Sequence, residues 1–199
     1  KKKKIYDLVI CSALPAEKWL ANKYPKKDFK NSANLMLNLK KINTKLFILI
    51  STIDVRFNHA YGKNRLKLEK FVKENFKDFL IFRFPALFGK GLKKNILFDL
   101  LNNNNLERIS SNDEFQWYDL NFLNRDIISC KKKYGLNKTI ELYSKPIKNS
   151  EINKFFPHIK LKNLTRKKII YNYKPKIGYY KSKKFLLSRI KLFINNYDK

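Results

Sequence analysis

A hydroxyl, a phenol and a guanidinium follow one another closely in the middle of the sequence. Thr52 comes directly after an apolar run of strand type, and Tyr61 begins a segment with helical periodicity. Arg65 lies four residues after Tyr61, on the same face of the predicted helix. A cation there would lower the pKa of the phenol from its usual value of about 10. A phenolate beside a hydroxyl can act as a general base for an alcohol proton; the alternative is a tyrosine packed on a sheet and an arginine in solvent.

The elements that must position these residues alternate between strand and helix. Apolar runs predict strands over residues 5–11, 46–50, 79–84 and 139–143. Helical periodicity predicts helices over residues 28–39, 61–76, 93–101, 119–132 and 182–196. This alternation is typical of an α/β fold with a doubly wound parallel sheet, in which ligands bind at the carboxyl ends of the strands. The sequence after about residue 130 is richer in Lys, Tyr and Pro, and it indicates a small C-terminal lobe.

Two further strand ends carry candidate binding residues. Ser12 and Ala13 follow the first strand, and small side chains there let the backbone approach a cofactor. The third strand runs into Phe84, Pro85 and Ala86, followed by a loop with two glycines. Together with Thr52, these positions predict one ligand site along the carboxyl edge of the sheet.

In this order, the segments resemble the extended short-chain dehydrogenase/reductase superfamily, in particular its NAD-dependent epimerase/dehydratase family. The resemblance covers about residues 5–128 and rests on YDLVICSALPA, DFKNSANLML, FILISTIDV, YGKNRLKLEKFV, IFRFPALFGKG and FQWYDLNFLNRDI. It implies a Rossmann-like sheet that lacks its first βαβ unit. It also implies a partial NAD(P)-binding domain over residues 1–128, and a last sheet strand with a small C-terminal substrate lobe over residues 129–199.

The resemblance implies hydride transfer between NAD or NADP and a nucleotide sugar or related polyol. Thr52, Tyr61 and Arg65 match the catalytic positions, although Arg65 stands where the family has a lysine that binds the nicotinamide ribose. The residues that the resemblance assigns to the cofactor are Ser12, Ala13, Asn31, Tyr61, Arg65, Phe84, Pro85 and Ala86. The residues that it assigns to the substrate are Asp54, Lys94, Asn95 and Gln116.

The sequence departs from the family at its start. No glycine precedes Gly62, so the Gly-rich turn that holds the pyrophosphate is missing from this sequence. The chain also begins with Lys, and we therefore expect an N-terminally incomplete sequence whose cofactor affinity is weak. Without the family's first strand, the strand over residues 5–11 becomes an exposed apolar edge, so we expect self-association, with a homodimer as one form. The alternatives are a non-catalytic Rossmann-like protein that binds nucleic acid or a dinucleotide, and an inactive fragment.

The composition limits the partners. The 199 residues include 45 Lys and Arg against 16 Asp and Glu, which gives a net charge of +29. Most of this excess is Lys, accompanied by abundant Asn and Ile, as AT-rich coding favours, whereas nucleic-acid recognition relies on Arg. We therefore expect no nucleic-acid partner. No apolar run approaches the roughly 20 residues of a membrane helix, which predicts no membrane partner. Cys11 and Cys130 lie far apart, which predicts no disulfide and no metal site, in a reducing cytoplasm.

Overall fold

The structure, a computed structural model, describes residues 4–197. The strands are β1 (Ile5–Tyr6), β2 (Val9–Cys11), β3 (Asn43–Thr44), β4 (Phe47–Thr52), β5 (Phe79–Phe84), β6 (Ala86–Phe88), β7 (Glu114–Phe115), β8 (Trp117–Asp119), β9 (Lys138–Glu141) and β10 (Ile147–Lys148). The helices are α1 (Lys18–Lys23), α2 (Pro25–Leu39), α3 (Ala60–Asn75), α4 (Ile96–Leu101), α5 (Leu123–Tyr134), α6 (Asn149–Asn153) and α7 (Lys183–Asn195). Short 3-10 turns cover Ile53–Arg56, Leu106–Arg108 and Leu120–Phe122.

The main sheet has the strand order β2-β4-β5-β9, with β2 at one edge. The β2–β4 pair is parallel, with Val9 opposite Phe47, and the short β1–β3 pair is parallel as well. Two smaller pairs, parallel β6–β8 and antiparallel β7–β10, complete the described strands. The predicted α/β fold with parallel strands and intervening helices is confirmed.

The predicted element boundaries differ from the observed ones where local capping decides them. The helix predicted from residue 93 begins at Ile96, because the Asn95 side chain accepts the backbone N–H groups of Leu97 and Phe98. The helix predicted from residue 119 begins at Leu123, after a 3-10 turn that Asp119 caps. The strand predicted over residues 5–11 is interrupted at residues 7 and 8. The short helix α1 was not predicted.

Residue contacts divide the chain into two compact units. The first unit comprises the described residues up to Arg83 together with Ile127–Ile140. Its core is built from one face of the sheet and the apolar sides of α2 and α3, with Phe47, Val72 and Ile81 fully buried. The second unit comprises Phe84–Asp126 and the described residues from Glu141 onward. Its core contains Trp117 and Leu186, and the predicted division of the chain at residue 128 stays a prediction.

An apolar strip remains exposed along β1 and β2. Ile5 and Ile10 are 59% and 51% exposed, and Tyr6 and Leu8 are exposed to a similar degree. The opposite face of β2 is buried, since Cys11 packs into the core of the first unit. Parallel sheets are normally covered on both faces, and an apolar strand at a sheet edge is a template for association.

We expect the chain to self-associate through this strip, and the substitution Ile10→Lys to suppress the association. A charge on an edge strand opposes strand pairing, and Ile10 is exposed enough for the change to leave the core intact. Static light scattering against protein concentration measures the effect. The control is Ile128→Lys, the same change at a 68% exposed position on α5, which should associate as the unchanged chain does. A monodisperse monomer of the unchanged chain would contradict the prediction.

Candidate functional site

The Thr52 hydroxyl is held at the carboxyl end of β4. Thr52 is the last residue of that strand and caps the 3-10 turn that follows. Its Oγ1 atom accepts the backbone N–H of Asp54 at 3.1 Å and donates to Asp54 Oδ2 at 3.3 Å. The predicted position of Thr52 at a strand end is confirmed.

Tyr61 lies in the first turn of α3, and three contacts fix the start of this helix. Asn22 Oδ1 accepts the backbone N–H of Tyr61 at 3.0 Å, and His59 Nδ1 accepts that of Gly62 at the same distance. A Cβ atom at Gly62 would lie 2.1 Å from the Asp54 carbonyl oxygen, so only glycine fits there. The helix N-terminus is thereby packed directly against the turn that follows Thr52.

Arg65 contacts Tyr61 but is engaged by a buried carboxylate. Its guanidinium carbon lies 4.2 Å from the centre of the Tyr61 ring. Nη1 donates to both oxygens of Asp28, at 2.9 and 2.8 Å, and Nη2 donates to the Pro15 carbonyl at 2.6 Å. The prediction that Arg65 and Tyr61 share a helix face is confirmed. The alternative of an arginine in solvent is wrong, because Arg65 is buried.

The electrostatic environment raises the pKa of Tyr61, contrary to the expectation of a lowered pKa. Burial removes water from around the phenolate and is the largest contribution. The Arg65 charge acts in the opposite direction, while the carboxylates of Asp54 and Asp28 add to the increase. The expectation considered Arg65 alone, and it is corrected by the burial of the ring and by the acids around it.

The Asp54 carboxylate contacts basic side chains that the sequence pattern did not predict beside it. Lys18 Nζ lies 2.7 Å from Asp54 Oδ1, and His59 Nε2 lies 3.4 Å from the same oxygen. The Lys18 ammonium also lies over the Phe57 ring, 5.2 Å from its centre. Lys18 belongs to α1, 36 residues before Asp54, so no local pattern could have linked the two.

A second ion pair lies farther along the same face of α3. Glu69 is fully buried, and its carboxylate accepts from Arg83 Nη2 at 2.6 Å and from the Ser51 hydroxyl at 2.6 Å. Tyr61, Arg65 and Glu69 recur every four residues, so one helix face presents a phenol, a cation and an anion. This spacing was the signal in the sequence from which Glu69 could have been predicted.

Of the cofactor residues predicted in the first unit, Tyr61 and Arg65 are buried, whereas Ser12, Ala13 and Asn31 are accessible. Ser12 and Ala13 are exposed directly after β2. Asn31 is exposed on α2 and lines a pocket of about 160 Å³, together with Tyr24, Lys27 and Asp28. Direct contacts join Thr52 to Asp54 and Tyr61 to Arg65, and Gly62 packs the start of α3 against Asp54. Asn31 lines the same pocket as Asp28, the carboxylate that binds Arg65.

The candidate residues of the second unit are used mainly within that unit. Phe84 and Pro85 are buried, and the Phe84 ring lies 4.6 Å from that of Tyr118. Ala86 is half-buried at the start of β6, and Lys94 is exposed. Asn95 caps α4, and its Nδ2 donates to the Leu87 carbonyl at 2.8 Å.

Gln116 is likewise engaged inside the second unit. Its Nε2 atom donates to the carbonyl oxygens of Ser144 and Tyr173, at 2.7 and 2.9 Å, and its Oε1 atom accepts the Tyr173 N–H. The Gln116 amide therefore organises the irregular segment around residue 173. Its predicted contact with a substrate stays a prediction.

The described residues contain no group of three His, Cys, Asp or Glu side chains that could hold a metal ion. Cys11 and Cys130 are both buried thiols. Within residues 4–197, no helix combines the length and hydrophobicity needed to cross a bilayer.

Solved structures share the fold. The chain is similar to the UDP-N-acetylglucosamine 4-epimerase of Methanobrevibacter ruminantium M1 in complex with UDP-N-acetylmuramic acid, with a TM-score of 0.70 and 14% identity over 95% of this chain and 76% of that one. It is similar to the enzyme WbmG of Bordetella bronchiseptica in complex with NAD (TM-score 0.72, 12% identity, 96% and 72%). It is also similar to RMD of Pseudomonas aeruginosa complexed with NADPH (TM-score 0.70, 15% identity, 94% and 77%). No protein-family model and no curated protein sequence matches.

At these identities the likeness concerns the fold. It confirms the Rossmann-like architecture that the sequence resemblance to epimerase/dehydratase enzymes implied.

The contacts around Arg65 predict that Asp28→Asn destabilises the protein by about 3 kcal/mol, because the buried guanidinium then has no opposite charge. The midpoint of urea unfolding measures the loss. Replacing both residues, as Asp28→Asn with Arg65→Met, should cost less than the sum of the two single changes. The control is Asp7→Asn, which removes the exposed pair with Lys45 and should leave the midpoint unchanged. Equal midpoints for Asp28→Asn and Asp7→Asn would contradict the prediction.

Proposed function

We propose that this chain carries the catalytic part of an NAD(P)-dependent enzyme of the epimerase, dehydratase or reductase kind, acting on a nucleotide sugar or related polyol. The observation that carries the proposal is the placement of Thr52 at the end of β4 and of Tyr61 at the packed start of α3. Support comes from the fold, which is shared over 94–96% of this chain with structures in complex with NAD and NADPH.

The ends of β2 and β4 fit the nicotinamide half of such a cofactor. Ser12 and Ala13 are small and exposed, which leaves their backbone accessible. Thr52 ends β4, the strand that pairs with β2, and its hydroxyl is fixed by the Asp54 N–H. The nicotinamide, when bound, accepts or returns a hydride. The Arg65 guanidinium is hydrogen-bonded to Asp28 and to the Pro15 carbonyl. We therefore propose that Arg65 acts on the Tyr61 ring and does not bind the ribose.

In the proposed reaction, Tyr61 exchanges a proton with the substrate oxygen and Thr52 holds the same oxygen by a hydrogen bond. Asp54, neutralised by Lys18 at 2.7 Å, is proposed to bind substrate hydroxyls. Lys94 and Asn95 supply a cation and an amide suited to a diphosphate, and Gln116 is proposed as a further substrate contact.

We retain residues 1–128 as the proposed cofactor domain and residues 129–199 as the last strand with the substrate lobe. A cytoplasmic site of action is proposed with them, in keeping with the two buried cysteine thiols.

A non-catalytic dinucleotide-binding protein is the second candidate. Two observations favour it: the raised pKa of Tyr61 and the engagement of Arg65 by a buried carboxylate. Calorimetric titration with NAD and NADP, followed by turnover assays on UDP-, GDP- and dTDP-sugars, separates the candidates. Binding without turnover on any sugar supports the second candidate, and turnover supports the first.

Tyr61→Phe should abolish turnover and leave cofactor affinity within about twofold, because it removes only the hydroxyl that exchanges the proton. Formation or consumption of NAD(P)H measures turnover, and calorimetry measures affinity. The control is Tyr134→Phe, the same change at the end of α5, which should keep full turnover. Unchanged turnover of Tyr61→Phe would remove this residue from the mechanism.

The raised pKa of Tyr61 predicts a direction-dependent pH profile. Oxidation of a substrate hydroxyl requires the phenolate, which is scarce below its pKa. The kcat/KM should therefore rise about tenfold per pH unit from neutral pH through about pH 10, without reaching a plateau. Reduction of a carbonyl requires the protonated phenol and should be independent of pH over the same range. A plateau of the oxidation rate near neutral pH would show that the pKa of the reacting phenol is lowered instead.

A further inference from the structure

The positive charge is concentrated in the last quarter of the chain. Between residue 152 and residue 197 the sequence has eleven Lys, two Arg and no Asp or Glu, whereas the preceding sequence has about two basic residues for each acidic one. A uniform drift in composition would distribute acids through both parts. The acid-free stretch is therefore a local feature of the second unit.

Residues 160–184, which we call the basic strap, form an ordered surface segment. Arg166 pairs with the buried Asp113 at 2.6 Å. The Tyr171 N–H donates to the Glu114 carbonyl at 2.9 Å, and the Tyr180 N–H donates to the Tyr143 carbonyl at 2.8 Å. These contacts fix the backbone, so the side chains of the strap are presented on a defined surface.

The lysines of the strap exceed the carboxylates available to them. Lys168 and Lys183 pair with Glu114 and Glu151. The described residues provide no carboxylate partner within 4.0 Å for the seven others, which are Lys160, Lys162, Lys167, Lys174, Lys176, Lys181 and Lys184. Clusters of four to eight cations are sufficient to attract a protein to an anionic surface.

The apolar side chains exposed on the strap are aliphatic. Ile169, Ile170 and Ile177 are 40%, 49% and 43% exposed. Ile177 lies beside Lys176 in a turn that is closed by a hydrogen bond from the Gly178 N–H to the Pro175 carbonyl at 3.1 Å. Exposed aliphatic residues close to lysines suit the boundary between lipid headgroups and acyl chains.

The four tyrosines of the strap are buried or half-buried, and two of them are engaged by side chains of the unit outside the strap. Tyr171 is buried and stacked on Phe115, with 5.4 Å between ring centres, and Tyr180 donates to Asp126. Binding of single-stranded nucleic acid relies on exposed aromatic platforms. The combination of unpaired lysines, exposed isoleucines and engaged tyrosines therefore favours a lipid surface over a nucleic acid.

We propose that the basic strap attaches the protein reversibly to anionic phospholipid membranes. The lysines contact headgroup phosphates, and Ile170 and Ile177 enter the interface. The sequence predicted no membrane partner because it lacks a spanning segment, and surface attachment requires none. The proposal is independent of the reaction assigned to Tyr61.

Co-sedimentation of the full chain with vesicles tests the proposal. Phosphatidylcholine vesicles with about one-third phosphatidylserine should bind the chain, and pure phosphatidylcholine should not. The strap variant Lys167→Glu/Lys174→Glu/Lys176→Glu should lose affinity by about 30-fold or more. The matched control, Lys131→Glu/Lys132→Glu/Lys133→Glu on α5, has the same change in net charge and should lose less than about threefold. Circular dichroism confirms that each variant is folded.

A second pair of measurements tests the apolar contribution and the alternative partner. Ile170→Ser/Ile177→Ser should release the chain from the vesicles at a lower salt concentration than the unchanged chain, because only the electrostatic attraction remains. Equal losses for the two triple variants would assign the binding to overall charge and overturn the proposal. Absence of binding to the anionic vesicles would also overturn it, as would tighter binding to single-stranded RNA that the strap variant alone abolishes.

Discussion

Two carboxylates beneath the candidate site, Asp28 and Glu69, are almost inaccessible to water, and each is matched by one guanidinium. A buried carboxylate without such a partner would be several kcal/mol less favourable. The two pairs join α3 to α2 and to β5, so the helix that carries Tyr61 is held on two sides. Because ion pairs require exact geometry, they fix the rotation of α3 more strictly than apolar packing alone, and with it the direction of the Tyr61 ring.

The need to pair buried carboxylates also explains where the arginines and the lysines lie. Arg65 and Arg83 pair with the buried Asp28 and Glu69, and in the second unit Arg166 and Arg189 pair with the buried Asp113 and Asp119. Arginine suits such sites because its planar fork satisfies both carboxylate oxygens. Because several carboxylates are buried and paired with arginines, few carboxylates lie on the surface, and the surface lysines outnumber them. The charge of +29 is thus carried mainly by lysines at the surface.

The sequence predicted the features that depend on local periodicity. The helices over residues 61–76 and 182–196 and the strand that ends near Thr52 follow from apolar spacing, and the structure places them within one or two residues. It could not predict Lys18 beside Asp54, or Asn22 at the start of α3, because those contacts join distant segments through the unpredicted helix α1. The shift of the Tyr61 pKa was mispredicted for the same reason. The Arg65 contribution is local in sequence, whereas burial and the Asp28 carboxylate are supplied by the tertiary fold.

The contacts of Arg65 with Asp28 favour an arginine over a lysine at this position. A lysine ammonium at this position would be a single flexible donor group, able to leave a carboxylate for a ribose hydroxyl at moderate cost. Arg65 instead divides its donors between both oxygens of Asp28 and the Pro15 carbonyl, and it keeps its planar face on Tyr61. Moving it would break all of these contacts at once. Arg65 is therefore part of the packing that holds Tyr61.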